Sequence, residues 1–221
     1  MSKKSDRALN VAEFLLSIKA VELKPEQPFT WASGLKSPIY CDNRKTLSYP
    51  RIRTFLRQQF VELIKEELGS PEVIAGVATG GIAMGALVAQ DMGLPFVYVR
   101  SEAKKHGLTN RIEGVLEKGQ SVVVIEDLIS TGGSSLEAVK VLREADARVL
   151  GLAAIFTYGF QRSVDAFALS NCKMSTLSDY DTLVECAIKN NYIKEAQLET
   201  LQKWRKDPEA WGSSKTKAGV S

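Results

Sequence analysis

Four short apolar runs constrain the fold of this chain more than anything else in it: VIAGV (73–77), PFVYVR (95–100), SVVVIE (121–126) and RVLGLAAIFT (148–157). Each is rich in Val and Ile and nearly continuous in its apolar character, which predicts strands covered on both faces. Stretches of helical character at 81–92, 133–144 and 160–170 separate them. Parallel strands need a crossover long enough to hold a helix, so this alternation predicts a parallel α/β sheet flanked by helices. The 221 residues suit one large domain, or one domain with an appendage, at roughly 100–200 residues each.

The flanks read differently. Residues 6–20 predict an amphipathic helix with Ala8, Val11, Ala12 and Leu15 on one face and Ser5 as N-cap. FTWASGLKSPIYC (29–41) predicts two short strands joined by a turn at Gly34. Ser48 is the expected cap of a second helix, with Pro50 in its first turn and Ile52, Phe55, Leu56, Phe60, Leu63 and Ile64 on its buried face. SDYDTLVECAIKNNYIKEAQLETLQKWRKD predicts two C-terminal helices, with Ser178 and Asp181 as caps, and GSSKTKAGVS (212–221) reads as a frayed tail. The expected division is a hood of helix and hairpin (1–50), an α/β core with C-terminal helices (51–206) and a flexible tail (207–221).

Charge and cysteines narrow the function classes. A net charge of +3 is too mild to argue for nucleic acid, and no DNA-binding appendage is visible. Cys41, Cys172 and Cys186 are odd in number, widely spaced and without a CxxC pair. That argues against a disulfide framework or zinc site and for a reducing compartment. MSKKSDRALN lacks an apolar signal core, and no apolar run nears the roughly 20 residues that span a bilayer. The expectation is a cytoplasmic protein with neither membrane nor nucleic-acid partners.

The chemistry concentrates in VVVIEDLISTGGSS (122–135). An apolar strand ends in Glu126 and Asp127, and Thr131, Gly132, Gly133 and Ser134 lead into a helix. Ligands of a parallel sheet sit beyond the carboxyl ends of its strands. A helix N-terminus behind glycines offers unpaired N–H groups to an anion, and the hydroxyls of Ser130, Thr131, Ser134 and Ser135 add donors. Neither a Walker A loop nor GxGxxG is present. Carboxylates one step from a phosphate cradle fit a ligand with a phosphate at one end and hydroxyls, a metal or transient positive charge at the other, as in ribose 5-phosphate. ATGGIAMG (78–85) is a second glycine-rich strand-to-helix turn, suited to close backbone approach by an anion or to tight helix–sheet packing.

VRSEAKKHGLTNRIEG (99–114) gathers Arg100, Lys104, Lys105, His106 and Arg111 between glycines, without apolar periodicity. It reads as a solvated loop or as a basic lid over a polyphosphate. His106 is the chain's only histidine.

IEDLISTGGSS resembles the phosphoribosyl pyrophosphate (PRPP) motif of the type I phosphoribosyltransferases. Together with FTWASGLKSPIYCDNR (29–44) and the basic loop, over roughly residues 10–185, the chain is similar to the orotate phosphoribosyltransferases. That resemblance implies a type I phosphoribosyltransferase sheet and transfer of the 5-phosphoribosyl group from PRPP to orotate. The products would be orotidine 5-monophosphate and pyrophosphate, in pyrimidine biosynthesis. It implies that Arg100, Lys104 and His106 bind pyrophosphate. Glu126, Asp127, Leu128, Ile129, Ser130, Thr131, Gly132, Gly133 and Ser134 would hold the ribose phosphate, with Lys104, His106 and Asp127 as the catalytic set. Ser130 and Lys24 would meet orotate, and a homodimer would share the loop 101–114 across its interface. Arg44, by charge and position, is a candidate cation for orotate's carboxylate, or else closes a surface salt bridge. Mg²⁺ is the implied cofactor, held mainly by PRPP and water rather than by a protein cage. The alternatives are a phosphoribosyltransferase for another base, a PRPP-sensing regulator of the same fold, and a structural α/β domain.

Overall fold

The computed structural model describes residues 3–31, 34–101 and 111–218. The N-terminal part supplies α1 (Lys3–Ser17), the strands β1 (Val21–Leu23), β2 (Phe29–Thr30), β3 (Lys36–Ser37) and β4 (Ile39–Cys41), and a 3-10 turn at Asn43–Ser48. Helix α2 (Pro50–Leu63) ends in a π turn (Ile64–Leu68) and leads into β5 (Val73–Val77), α3 (Gly80–Met92) and β6 (Phe96–Val99). Then come β7 (Ile112–Glu113), β8 (Ser121–Ile129), α4 (Gly133–Glu144), β9 (Arg148–Thr157), α5 (Gln161–Leu169) and β10 (Met174–Asp179). Helices α6 (Tyr180–Lys189), α7 (Leu198–Lys206) and α8 (Pro208–Ala218) close the chain.

Among the described residues the sheet has six strands, in the order β10-β9-β8-β5-β6-β7. All pairings are parallel except β6 with the short edge strand β7. The expected parallel sheet is therefore present, with one antiparallel edge that the four apolar runs did not announce. Its strands are covered on both faces, as their composition requires. Ile74, Val123, Ile125 and Ala153 face a core built with α1, α2, α3, α6 and α7. Val73, Ala75, Val122 and Val124 face a second core under α4 and α5, where Val139, Leu142 and Phe167 pack. Each Val, Leu, Ile or Phe among them contributes about 1.5–3 kcal/mol relative to exposure.

Helix α1 joins the first core, with Val11, Ala12 and Leu15 fully buried. Buried Arg7 ties it to α2 through Gln59 (3.0 Å) and to the π turn through Glu66 (2.7 Å). The expected hairpin is two nested pairs. β2 and β3 close around Gly34 at φ +84°, and β4 pairs outward with β1 (Val21↔Cys41).

The expected caps are corrected. Ser5 lies inside α1, which starts at Lys3. Ser48 ends the 3-10 turn, and Tyr49 takes the N-cap place before Pro50. At α6 the cap is Asp179, whose carboxylate accepts from Thr182 N–H at 3.0 Å, rather than Ser178 or Asp181. Ser178 instead donates to the Ala8 carbonyl of α1 (2.9 Å). The two expected C-terminal helices are α6 and α7, joined through a 3-10 turn (Glu195–Gln197), whereas α8 runs helical through Ala218 where the sequence reads as a tail. Trp204 of α7 is fully buried among Trp31, Tyr158, Phe160 and Tyr180. Gly212 of α8 lies so close to β3 that a Cβ there would sit 2.8 Å from the Lys36 carbonyl.

Candidate active site

Strand order locates the site. From β5 the chain crosses to β6 on one side, and from β8 it crosses to β9 and β10 on the other. Neighbouring β5 and β8 thus form the switch point, where the connections diverge and leave a crevice beyond the strand ends. The ladder between them stops at Gly76↔Ile125, whereas β8 stays paired with β9 as far as Ile129↔Thr157. Glu126 and Asp127 therefore lie within a strand that outruns one neighbour, and not at its end as the sequence suggests. The two acids interrupt the apolar run without ending the strand, because pairing with β9 continues past them through Leu128 and Ile129.

The two acids do different things. Glu126 is buried, accepting from Asp127 N–H (2.9 Å) and from the Ser135 hydroxyl (3.1 Å). Burial first, and the Asp127 carboxylate second, raise its pKa to about 8. Asp127 is partly exposed, and its carboxylate lies over Gly80 where any Cβ would overlap it. A Cβ at Gly81 would overlap the Ile125 carbonyl oxygen. The N-terminus of α3 thus presses directly on β8 at the acids, which favours the packing role for ATGG without removing its N–H groups from the crevice.

The second turn is open. Gly132 adopts φ +83° and serves as N-cap of α4, which begins at Gly133 as expected. Gly133 and Ser134 are exposed, and Ser130 and Thr131 are partly so. The first turn of α4 carries no acidic residue of its own, which leaves its positive dipole end suited to an anion. Three expected contacts change character. Ser135 is buried against Glu126, so its hydroxyl is not a phosphate donor. Ile129 is wholly buried, and its carbonyl already accepts from Tyr158 N–H and the Thr157 hydroxyl. Leu128 packs against the first core. These residues shape the turn from below.

Arg100 follows β6 and faces Glu113 at 3.4 Å. Main-chain bonding from Arg100 N–H to the Arg111 carbonyl (2.9 Å) brings the two ends of the basic stretch together. Lys104 and His106 lie outside the described residues. Lys24 sits over the Phe29 ring (4.8 Å) and 3.4 Å from Glu22, fastened to the hairpin. Arg44 closes on Asp42 at 2.8 Å, the salt-bridge alternative, and is near enough to Asp127 to feel its charge. Among the described residues no group of three or more His, Cys, Asp or Glu could hold a metal ion. A cation here would have Asp127 as a partly exposed carboxylate and would need its other oxygens from substrate and water.

One residue passed over in the sequence belongs here. Asn43 is 1% exposed, and its Nδ2 donates to the Asp127 carbonyl at 2.6 Å. Its Oδ1 accepts from the Cys41 thiol (3.3 Å), which burial and then Asp127 keep protonated. No spacing rule could have found a contact 84 residues apart in sequence.

A cleft of about 620 Å³ between α6 and α7 includes none of residues 126–134. Its Arg205 is taken up by Asp181 and the Tyr158 carbonyl. Among the described residues no helix is long and apolar enough to cross a membrane.

Comparison with known proteins bears on the family and the fold. Residues 51–184 match the family model of the phosphoribosyl transferase domain. The orotate phosphoribosyltransferase of Listeria innocua is 58% identical over 202 residues, covering 91% of this chain and 97% of that protein. That of Porphyromonas gingivalis is 54% identical over 202 residues, covering 91% and 96%. Among solved structures, the orotate phosphoribosyltransferase of Aeropyrum pernix superposes with a TM-score of 0.72 at 27% identity, over 83% of this chain and 99% of that one.

Proposed function

The chain belongs to the orotate phosphoribosyltransferase family, and from that membership we propose its reaction: transfer of the 5-phosphoribosyl group of PRPP to orotate, giving orotidine 5-monophosphate and pyrophosphate, a step of pyrimidine biosynthesis. The observation that carries this reading is the strand arrangement at the switch point, where β8 runs on past β5 to present the partly exposed Asp127 and the exposed N-terminus of α4 follows at Gly133.

In the reaction the bond from ribose C1 to pyrophosphate oxygen breaks with its electron pair leaving on pyrophosphate, a bond from C1 to a ring nitrogen of orotate forms, and that nitrogen's proton passes to the departing pyrophosphate or to water. Asp127 accepts from the ribose hydroxyls and offers negative charge as the ring gains oxocarbenium character. The main chain at Gly132–Ser134 and the hydroxyls of Ser130, Thr131 and Ser134 hold the 5-phosphate. Glu126 supports this from beneath and meets the ribose only by exchanging its present partners. Arg100, Lys104 and His106 face the pyrophosphate as its charge grows, and fixed charge aimed at developing charge is usually the largest catalytic term. Orotate lies by the hairpin near Ser130, with Lys24 and Arg44 as cations for its carboxylate once freed from Glu22 and Asp42. Mg²⁺ fits this donor set as a cation held chiefly by PRPP oxygens and water, with Asp127 nearby, and it supplies charge neutralisation to the leaving group.

The assembly is a homodimer in which residues 101–114 serve the neighbouring site, and the compartment is the cytoplasm, in keeping with three free cysteines. Loss of orotate absorbance on adding PRPP and Mg²⁺, with adenine, guanine and uracil as competing bases, tests the reaction. Consumption of another base in preference to orotate would sink it.

A further inference from the structure

Past Ile125, β8 has lost β5 as a partner while its register with β9 runs on through Glu126↔Ala154 and Leu128↔Phe156, so Asp127 has no strand beside it on the β5 side. A buried strand segment cannot leave its main-chain groups unpaired. Two side chains take the place of the missing strand. Glu126 accepts the Asp127 N–H, and Asn43 donates to the Asp127 carbonyl. Asn43 is itself held on two more sides: Cys41 donates to its Oδ1, and Thr46 donates to its carbonyl at 2.6 Å. It sits at the start of the 3-10 turn that follows β4, so the tie runs from the hairpin to the acid strand.

We propose that Asn43 is a positioning residue for the transfer reaction: its amide fixes the main chain of Asp127, and thereby the carboxylate that receives the ribose of PRPP. This rests on the assignment of Asp127 to the ribose. The carboxylate is one residue's length from the bond, and a misplacement of about 1 Å at a reacting centre costs on the order of 10²-fold. Asn43 does not itself touch substrate, so its loss is felt on the PRPP side and not as a general weakening of both substrates.

Steady-state kinetics of Asn43→Ala, Asp127→Asn and Ser178→Ala in the intact protein test this. Ser178→Ala removes another buried side-chain bond, from β10 to α1, away from the switch point. Asn43→Ala is expected to raise KM for PRPP at least about tenfold, the factor equivalent to about 1.4 kcal/mol, with KM for orotate within about twofold. Ser178→Ala should lower the melting temperature and leave both KM values in place. If Asn43→Ala does not fold, Asn43→Ser retains a hydroxyl but is too short for the Asp127 carbonyl, and the same split is expected. A KM for PRPP within about twofold of wild type, while Asp127→Asn is impaired, overturns the positioning role and leaves the reaction standing. Normal PRPP use by Asp127→Asn overturns the ribose assignment, and this inference with it.

Discussion

Two strand-to-helix turns in this chain are spelled almost alike. V-A-T-G-G (77–81) follows β5, and I-S-T-G-G (129–133) follows β8. They face each other across the switch point, yet their glycines are there for opposite reasons. In the first turn, which contains a cis peptide between Ala78 and Thr79, the glycines are glycine because β8 leaves no room for a side chain. In the second, Gly132 is needed for its backbone angle, and Gly133 has nothing nearer than the Thr131 hydroxyl at 3.9 Å from its would-be Cβ. One turn is a packing joint and the other is an open mouth. Composition alone could not separate them, because a missing side chain looks the same in sequence whether the reason is crowding or access.

The largest effect should come from Gly81→Ala. Its methyl would meet the Ile125 carbonyl, which belongs to a central strand and cannot yield. A loss of about 3 kcal/mol or more in urea unfolding is expected, at the upper end of overpacking costs. A loss below about 1 kcal/mol would break the contrast between the turns. Gly132→Ala should cost about 1–3 kcal/mol, since φ +83° strains an L-residue and the new Cβ would approach Phe167 at 2.8 Å.

A third expectation is a pH slope from Glu126, the buried acid of β8 behind the second turn. Glu126 has its pKa raised to about 8 in the folded protein from an ordinary 4.5, mainly by burial. The folded state therefore holds that proton more tightly than the unfolded chain. Its contribution is fully present below about pH 4.5 and is lost as pH rises through about 8. Melting temperatures of the substrate-free protein across that window should fall less steeply in Glu126→Gln than in wild type, and parallel curves would count against the inward-facing carboxyl.

The smallest expected change in stability is in Gly133→Ala, within about 0.5 kcal/mol. A severalfold rise in KM for PRPP at unchanged stability is the expected outcome. An unchanged KM would mean that phosphate does not approach this backbone.

Much of the scaffold was legible in the chain. The apolar runs became β5, β6, β8 and β9, and α4 spans the stretch 133–144 read from its sequence. Continuous burial of Val and Ile on both faces leaves few other options. Caps were the weak point: Ser5, Ser48, Ser178 and Asp181 were all displaced by a residue or more. Helix starts follow tertiary docking as much as local hydroxyls. The short edge strand β7 went unseen because its two residues carry no periodicity.

For the site, the sequence by itself determined the chemistry on offer: two acids, a glycine–hydroxyl turn and a helix to follow, in that order along one strand. Covalent order places them, since a strand and the turn after it must share one end of the sheet. Only the tertiary structure decided which acid faces inward and which outward, that Ser135 belongs to Glu126, and that Asn43 replaces a strand beside Asp127. Those choices depend on where β5 stops and on what the hairpin brings across from 84 residues away. Hydrogen-bond demand at a strand that outruns its neighbour has no signature in the letters of that strand.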